Sequence, residues 1–174
     1  MITKISFLLF VLALAISVGY TQEKSKKQIK EEKKLALQKQ VEEMVNAKEF
    51  VFVGRTAIPS GHKSVNLTTN TNYVKFHPDL IDSYMPYFGR AYSGVGYGGD
   101  QGLKFTGKPE VFTVTKTKKE FEVTAEVKGS NDTYKISLSI GFEGNSTLGI
   151  TSNNRSFISY YGEISAPEKK DDKK

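Results

Sequence analysis

Residues 120–142, which read EFEVTAEVKGSNDTYKISLSIGF, decide the fold because apolar and polar side chains alternate along both halves. The apolar positions are Phe121, Val123, Ala125 and Val127 in the first half and Tyr134, Ile136, Leu138, Ile140 and Phe142 in the second. Strict alternation in two runs, joined by a Gly-Ser-Asn-Asp turn, predicts an antiparallel hairpin with one buried face.

Shorter runs of the same character lie on both sides of this hairpin. We expect strands over residues 50–53 (ending at Gly54), 64–68, 72–77, around Phe105, and over 111–116, 147–151 and 156–164. About eight short strands with tight turns and no alternating helices favour an antiparallel meander, closed as a small barrel or folded as a sandwich. Pro78 and the acids after it instead predict a helical turn over residues 79–84, because both are favoured in a first helical turn.

One amphipathic helix is predicted before the strands, over residues 35–48. Its apolar stripe is Leu37, Val41, Met44 and Val45. This spacing places the four side chains on one helix face, which we expect to dock on the β domain. Residues 22–34 are almost wholly polar and predict a charged tether or frayed helix. The fold class is therefore mainly β with one N-terminal helix, a single domain at 35–166, and a disordered charged tail at 167–174.

The N-terminus has the pattern of a secretion signal. A short cationic start precedes an apolar run at residues 5–18, and small residues follow at Ser17 and Gly19. About 14 residues fall short of the ~20 that a membrane-spanning helix needs, so we expect residues 1–21 to be a cleaved signal peptide rather than a retained anchor. This predicts a periplasmic or secreted protein. The chain has no cysteine, which excludes disulfides, thiolate zinc sites and lipid attachment at a signal-peptide cysteine.

The net charge of +6 does not indicate a nucleic-acid partner. Most of the excess lysine lies in the N-terminal segment and the C-terminal tail, and residues 50–166 are nearly balanced. A nucleic-acid interface needs basic residues clustered on one face of a domain. We expect no nucleic-acid partner, and no membrane span after signal cleavage.

Cofactor, metal and catalytic patterns are weak. Residues 94–99 read GVGYGG and fit G-x-G-x-x-G, but neither a strand before nor a helix after is predicted, so a flexible glycine loop is favoured. His77, Asp79 and Asp82 lie close in sequence without a known metal-ligand spacing, and the acids suit a helix start. No nucleophile elbow or paired carboxylates occur. We therefore predict no cofactor and no metal.

The arginines are more informative, because the chain has 22 lysines but only three arginines. A guanidinium is preferred over an ammonium where two oxygens or an aromatic face must be held. We hypothesise that some arginines, beside Tyr87, Tyr92, Tyr97 and Tyr160, line a site for a small polar or acidic ligand. The alternative is that each pairs with a carboxylate such as Asp82 or Asp100, or stacks on a tyrosine to fix a loop. The candidate ligand-binding residues are Arg90, Arg55, Arg155, Tyr87, Tyr92, Tyr97, Tyr160 and Asp100.

Four segments together resemble a known family. They are RTAIP at 55–59, MPYFGRAY at 85–92, GLKF at 102–105 and TSNNRSFISY at 151–160, followed by Gly162. Over roughly residues 40–165 the chain resembles the domain-of-unknown-function family numbered 4251, secreted or envelope proteins of Bacteroidota. The resemblance implies a cell-envelope setting and carries over no functional residue.

We therefore expect a non-enzymatic envelope module that binds an unknown small polar or acidic ligand or an envelope partner. One alternative is a hydrolase of envelope or dietary polymers with Asp100 or Asp82 as the acid. Another is a structural protein whose loop at residues 85–105 plugs the end of a barrel.

Overall fold

A computed structural model describes residues 25–92, 102–129 and 132–167. The predicted signal peptide, the glycine motif at 94–99 and the tail from residue 168 lie outside these ranges. The chain divides into two compact units, Met1–Lys33 and Lys34–Lys174. The described ranges hold a helix, α1 (Lys26–Ala47), and ten strands. The strands are β1 (Phe50–Pro59), β2 (Val65–Asn66), β3 (Tyr73–His77), β4 (Leu80–Met85), β5 (Leu103–Gly107), β6 (Pro109–Lys116), β7 (Glu120–Lys128), β8 (Thr133–Gly141), β9 (Asn145–Ser152) and β10 (Ile158–Ser165).

The ten strands form one antiparallel sheet that is curled into a nearly closed barrel. The strand order is β5-β4-β3-β1-β10-β9-β8-β7-β6, with β2 paired to β1. The two outermost strands, β5 and β6, are joined through Lys108 alone, so the opposite edges of the sheet must approach each other there. Inside the curl, Phe105 of β5 stacks on Tyr134 of β8 with ring centroids 4.0 Å apart.

These observations confirm the predicted fold class, a mainly β antiparallel protein with an N-terminal helix. The hairpin that decides the fold is β7 and β8, in which Phe121 pairs with Ile140 and Ala125 with Ile136. Its alternating apolar side chains are buried from Phe121 to Ile140. They form part of the barrel core with residues of every long strand except β6.

The helical turn predicted at residues 79–84 is wrong. Those residues form β4, in which Ile81, Ser83 and Met85 are buried and alternate with the outward side chains of Asp82 and Tyr84. This strand pairs with both β3 and β5. Backbone hydrogen bonds to two neighbours and a buried face outweigh the weak local preference for a helix start.

Strand β1 also continues beyond Gly54, where a strand end was predicted. A register shift between Gly54 and Thr56 marks a bulge, and the buried side chain of Asn72 supplies the hydrogen bonds. The Gly54 amide donates to Asn72 Oδ1 at 2.7 Å, and Asn72 Nδ2 donates to the Gly54 carbonyl at 3.1 Å. A Cβ at Gly54 would lie 2.9 Å from Asn72 Oδ1, so this contact requires glycine.

The part of helix α1 that belongs to the second unit, from Lys34 onward, docks at the barrel end where β1 begins. Val41 and Val45 are buried, whereas Leu37 of the predicted stripe stays 40 % exposed. Lys48 Nζ donates to the Phe112 carbonyl at 2.5 Å, and Lys34 pairs with Glu143 at 2.8 Å. The long loops after β1, β4 and β9 therefore lie at the opposite barrel end, away from the docked helix.

Within the described ranges no helix is long and apolar enough to cross a membrane.

Candidate functional site

The site predicted from the arginines and tyrosines lies at the loop end of the barrel. Residues 86–102 connect β4 to β5, residues 153–157 connect β9 to β10, and residues 60–64 connect β1 to β2. Antiparallel pairing brings all three connections to this end. Their contacts decide which predicted residues hold the loops and which face solvent.

Tyr87 joins the first two loops. It is 7 % exposed, and its hydroxyl donates to the Arg90 carbonyl at 2.8 Å. The same oxygen lies 2.8 Å from Oγ of Ser156 and 3.0 Å from the Ser156 carbonyl. The Ser156 amide donates to the Arg90 carbonyl at 2.9 Å, and the Tyr92 amide to the Asn154 carbonyl at 2.8 Å. We call this arrangement the Tyr87 clasp.

Gly89 is necessary in the clasp because the Tyr87 hydroxyl lies over it. A Cβ built on Gly89 would meet that hydroxyl and would lie 2.6 Å from Ser156 Oγ. Much of the MPYFGRAY segment is therefore explained by packing: a buried tyrosine folds back over a glycine, and Ala91 forms an isolated β-bridge with Arg155.

The Arg155 side chain holds both ends of the β4–β5 connection. Its guanidinium carbon lies 5.3 Å from the centroid of the Tyr87 ring, and its Nη1 donates to the Gly102 carbonyl. A guanidinium suits this position because it can stack on a ring while its edge donates hydrogen bonds. Arg155 and Tyr87 thus position the loop, as the stacking alternative anticipated.

Tyr160 also supports the loop from inside the barrel. Its side chain is fully buried, and its hydroxyl donates to the Pro86 carbonyl at 2.7 Å. Burial raises the pKa of Tyr160 far above its ordinary value, and neighbouring Tyr87 acts in the same direction while Arg155 opposes both. Tyr160 therefore stays a neutral hydrogen-bond donor.

Arg90 and Tyr92 lie on the solvent side of the clasp, in an open cleft of about 270 Å³ that we call the Arg90 cleft. The cleft is lined by Ser60, Gly61, His62, Arg90, Tyr92 and Ser156. The Arg90 backbone is fixed at both ends, since its amide donates to Ser156 Oγ at 3.1 Å and its carbonyl accepts from Tyr87. Its side chain is exposed, and among the described residues the guanidinium has no hydrogen-bond or ion-pair partner.

Arg55 is not part of this arrangement. It lies in the middle of β1, and its Nη2 contacts Oε1 of Glu163 on β10 at 2.6 Å, with both side chains more than half exposed. The Glu163 carboxylate raises the pKa of Arg55, through the hydrogen bond first and its charge second. Arg55 therefore pairs with a carboxylate, which is the alternative role considered for the arginines. Tyr97 and Asp100 lie outside the described residues.

The alternative catalytic acid, Asp82, points away from the barrel interior. Its Oδ1 accepts a hydrogen bond from Thr106 Oγ1 at 2.7 Å. Burial is the largest cause that raises the pKa of Tyr73, and the charge of Asp82 and a hydrogen bond to Asp82 raise it further. Asp79 pairs with Lys108 at 3.1 Å. Across the described ranges no three His, Asp or Glu residues converge on a possible metal position.

Sequence reasoning did not identify Ser60, His62 and Ser156 as parts of the site. His62 follows Gly61, whose φ of +75° marks a turn, and a turn by itself does not indicate a ligand site. No local sequence pattern marks Ser156, because its role depends on a contact with Tyr87, which is 69 positions away in the sequence.

Comparison with known proteins agrees with this architecture. The family model for a domain of unknown function, DUF4251, matches residues 32–164. The crystal structure of a DUF4251 family protein from Bacteroides eggerthii is similar with a TM-score of 0.59 and 16% sequence identity, covering 75% of this chain and 88% of that one. At this identity the likeness concerns the fold. No curated protein matches the sequence.

Proposed function

The chain belongs to the DUF4251 family of domains of unknown function, and from its site geometry we propose that it is a non-enzymatic binding module of the cell envelope. The proposed ligand is a small molecule that carries a carboxylate or phosphate, and the Arg90 cleft receives it. The observation that carries this proposal is a guanidinium on a fixed backbone that has no partner among the described residues and lines a polar cleft.

The clasp supplies the preorganisation that binding requires. The Tyr87 and Ser156 contacts hold the Arg90 backbone before any ligand arrives, so this backbone need not be ordered by the ligand. A guanidinium presents two parallel donors, which match the paired oxygens of a carboxylate or phosphate. The hydroxyls of Ser60 and Ser156 and the imidazole of His62 line the same cleft and add further polar contacts.

The cleft volume restricts the ligand to a small one. About 270 Å³ is just below the range of roughly 300–1,000 Å³ that is typical of small-molecule sites. A single sugar acid or an inorganic oxyanion fits this size. The exposed ring of Tyr92, 71 % accessible, offers an apolar surface at the rim for the C–H face of a sugar.

The envelope setting in this proposal rests on the sequence. The apolar run at residues 5–18 favours export. The hydrolase alternative has less support, because Asp82 is held by Thr106 on the outer face of the sheet, away from the Arg90 cleft.

Amide chemical-shift mapping tests the proposal. The isotopically labelled protein is titrated separately with sodium glucuronate and sodium phosphate. We expect saturable shifts at Arg90, Tyr92, His62 and Ser156 with at least one of the two anions, and their loss in Arg90→Ala. Arg55→Ala is the matched control, because it removes an arginine from the same domain and should leave the shifts intact. Shifts that persist in Arg90→Ala, or that are absent with both anions, would contradict the proposal.

A further inference from the structure

The first two turns of helix α1 present a row of lysines to solvent. Four lysines occupy positions i, i+1, i+4 and i+7 of the helix, and at 3.6 residues per turn this spacing places their side chains within about 120° of its circumference. All four are exposed, and the neighbouring Glu31 and Glu32 lie outside this arc. The four residues, which we call the lysine face, are Lys26, Lys27, Lys30 and Lys33.

The start of the helix is fixed by a capping box. The Ser25 amide donates to Oε1 of Gln28 at 2.9 Å, and the Gln28 amide donates to Oγ of Ser25 at 3.3 Å. This reciprocal pair satisfies two backbone donors that a helix start otherwise leaves free. The lysine face therefore begins at the first residue of a capped helix, and its members keep their positions relative to one another.

The lysine face is unfavourable for the helix that carries it. Lys30 follows Lys26 by four positions and precedes Lys33 by three, and like charges at these spacings repel each other. The first turn contains no acidic residue, although the helix dipole favours anions there and disfavours cations. Helix stability alone would favour acids at these positions. An anion bound from outside would relieve both effects.

The charges of the lysine face are available to such an anion. Further along the helix, Lys34 pairs with Glu143 at 2.8 Å and Lys39 with Glu43 at 3.8 Å. None of the four ammonium groups of the lysine face has a hydrogen-bond or ion-pair partner among the residues that the structure describes. The helix therefore separates paired lysines from a group of unpaired ones at its N-terminal end.

We propose that the lysine face binds the surface of an anionic phospholipid bilayer. Its four ammonium groups follow one side of the helix over a length of about 10 Å. A plane of phosphate headgroups offers counter-charges along this whole length, whereas a small anion meets only one or two of them. Each lysine near such a surface strengthens binding about fivefold, and the contributions of four accumulate.

Two observations favour a bilayer over a soluble acidic polymer. Ile29 is 41 % exposed and lies at the border of the lysine face, where an apolar side chain can enter the headgroup region. The lysine face also follows the apolar run at residues 5–18 by only a few positions, so the expected export brings this part of the chain to a membrane surface. The inference uses no residue of the Arg90 cleft and goes beyond the proposed function.

Vesicle sedimentation of the exported form, which begins at Gln22, tests the inference. The probes are vesicles of phosphatidylglycerol and phosphatidylethanolamine in equal amounts, and neutral vesicles of phosphatidylcholine. We expect binding to the anionic vesicles to be about tenfold or more stronger, and to be abolished by salt at about 1 M. Replacing the whole lysine face by glutamine, which keeps helix propensity, should weaken this binding about a hundredfold or more.

A matched variant separates the lysine face from the net charge of the protein. It replaces four exposed lysines of the barrel domain and should stay within about threefold of wild type. Its substitutions are Lys63→Gln, Lys118→Gln, Lys119→Gln and Lys135→Gln. Equal losses in the two variants would mean that net charge attracts the vesicles, which would overturn the inference.

Other results would also overturn it. They are undetectable binding to the anionic vesicles, equal binding to the neutral ones, displacement by free glycerol phosphate, and tighter binding to polyglutamate than to the anionic vesicles. Circular dichroism and thermal unfolding establish that every variant keeps its helix and its fold. Arg90→Ala should bind the vesicles as wild type does, so a failure of the Arg90 cleft leaves this inference intact.

Discussion

The hydroxyl oxygen of Tyr87 lies 2.8 Å from Oγ of Ser156, a contact between residues 69 positions apart in the sequence. It fixes the β4–β5 connection against the β9–β10 connection. It also orders the backbone of Arg90 without engaging the Arg90 side chain. The same contact therefore explains both a structural tyrosine and an available arginine.

Removing the Tyr87 hydroxyl should weaken the clasp. In Tyr87→Phe the Arg90 carbonyl and Ser156 each lose a hydrogen bond in a largely buried position and keep only their contacts with each other, and we expect the free energy of unfolding to fall by about 1–3 kcal/mol. Urea denaturation measures it. The control is Tyr92→Phe, whose ring is 71 % exposed and which should change stability by no more than about 0.5 kcal/mol. Equal losses in the two variants would disprove the clasp.

Replacing Arg155 by alanine should destabilise the fold much more than replacing Arg55 by alanine. Arg155→Ala removes a cation–π contact with Tyr87 and a hydrogen bond to the Gly102 carbonyl, and we expect a loss of about 1–3 kcal/mol. Arg55→Ala removes only a solvent-exposed pair with Glu163, and such pairs contribute little. The urea midpoints of the two variants report the difference. If Arg55→Ala proves as destabilising as Arg155→Ala, the assigned roles are wrong.

Stability should decline at alkaline pH because of Tyr160. Burial raises its pKa in the folded protein above the ordinary value of 10.0. The unfolded chain therefore loses this proton first, so the stabilisation is complete below about pH 10 and decreases as the pH rises beyond it. Burial shifts the pKa of Tyr73 and Tyr134 in the same direction.

Urea unfolding at several values between about pH 9 and 11 measures this decline. Tyr160→Phe should show a shallower decline than the wild type, because one buried group that ionises on unfolding is gone. It should also lose about 1 kcal/mol at neutral pH with the hydrogen bond to Pro86. Parallel declines in the two proteins would refute the role of Tyr160.

Local sequence patterns predicted the strands in which apolar and polar side chains alternate without interruption. Phe121 to Ile140 alternate without interruption, and β7 and β8 form there. The prediction failed at residues 79–84, where Pro78 and the acids suggested a helix start. The alternation of Ile81, Ser83 and Met85 was present in the sequence but was outweighed in our interpretation by the proline signal.

The extension of β1 could not be predicted in this way. The strand passes Gly54 because the Asn72 side chain, 18 positions away, makes the hydrogen bonds of the bulge. A side-chain contact at that separation leaves no periodic signal. The sequence instead suggested that a glycine followed by an arginine ended the strand.

The candidate site was predicted only in its residue types. The scarcity of arginine singled out Arg90, Arg155 and Arg55, but their different roles depend on the tertiary structure. The Arg90 side chain faces solvent, Arg155 stacks on Tyr87, and Arg55 pairs with Glu163. Ser156 and His62 enter the site through loop packing, for which no local pattern exists.

Calorimetric titration of sodium glucuronate into wild type, Arg90→Gln and Arg55→Gln tests the central claim most directly. Hydrogen bonds to charged groups contribute about 1.5–3 kcal/mol, so Arg90→Gln should bind glucuronate roughly tenfold or more weakly than wild type. Arg55→Gln should bind within about twofold of wild type, because its guanidinium is paired with Glu163 away from the cleft. Wild-type affinity in Arg90→Gln would contradict the account.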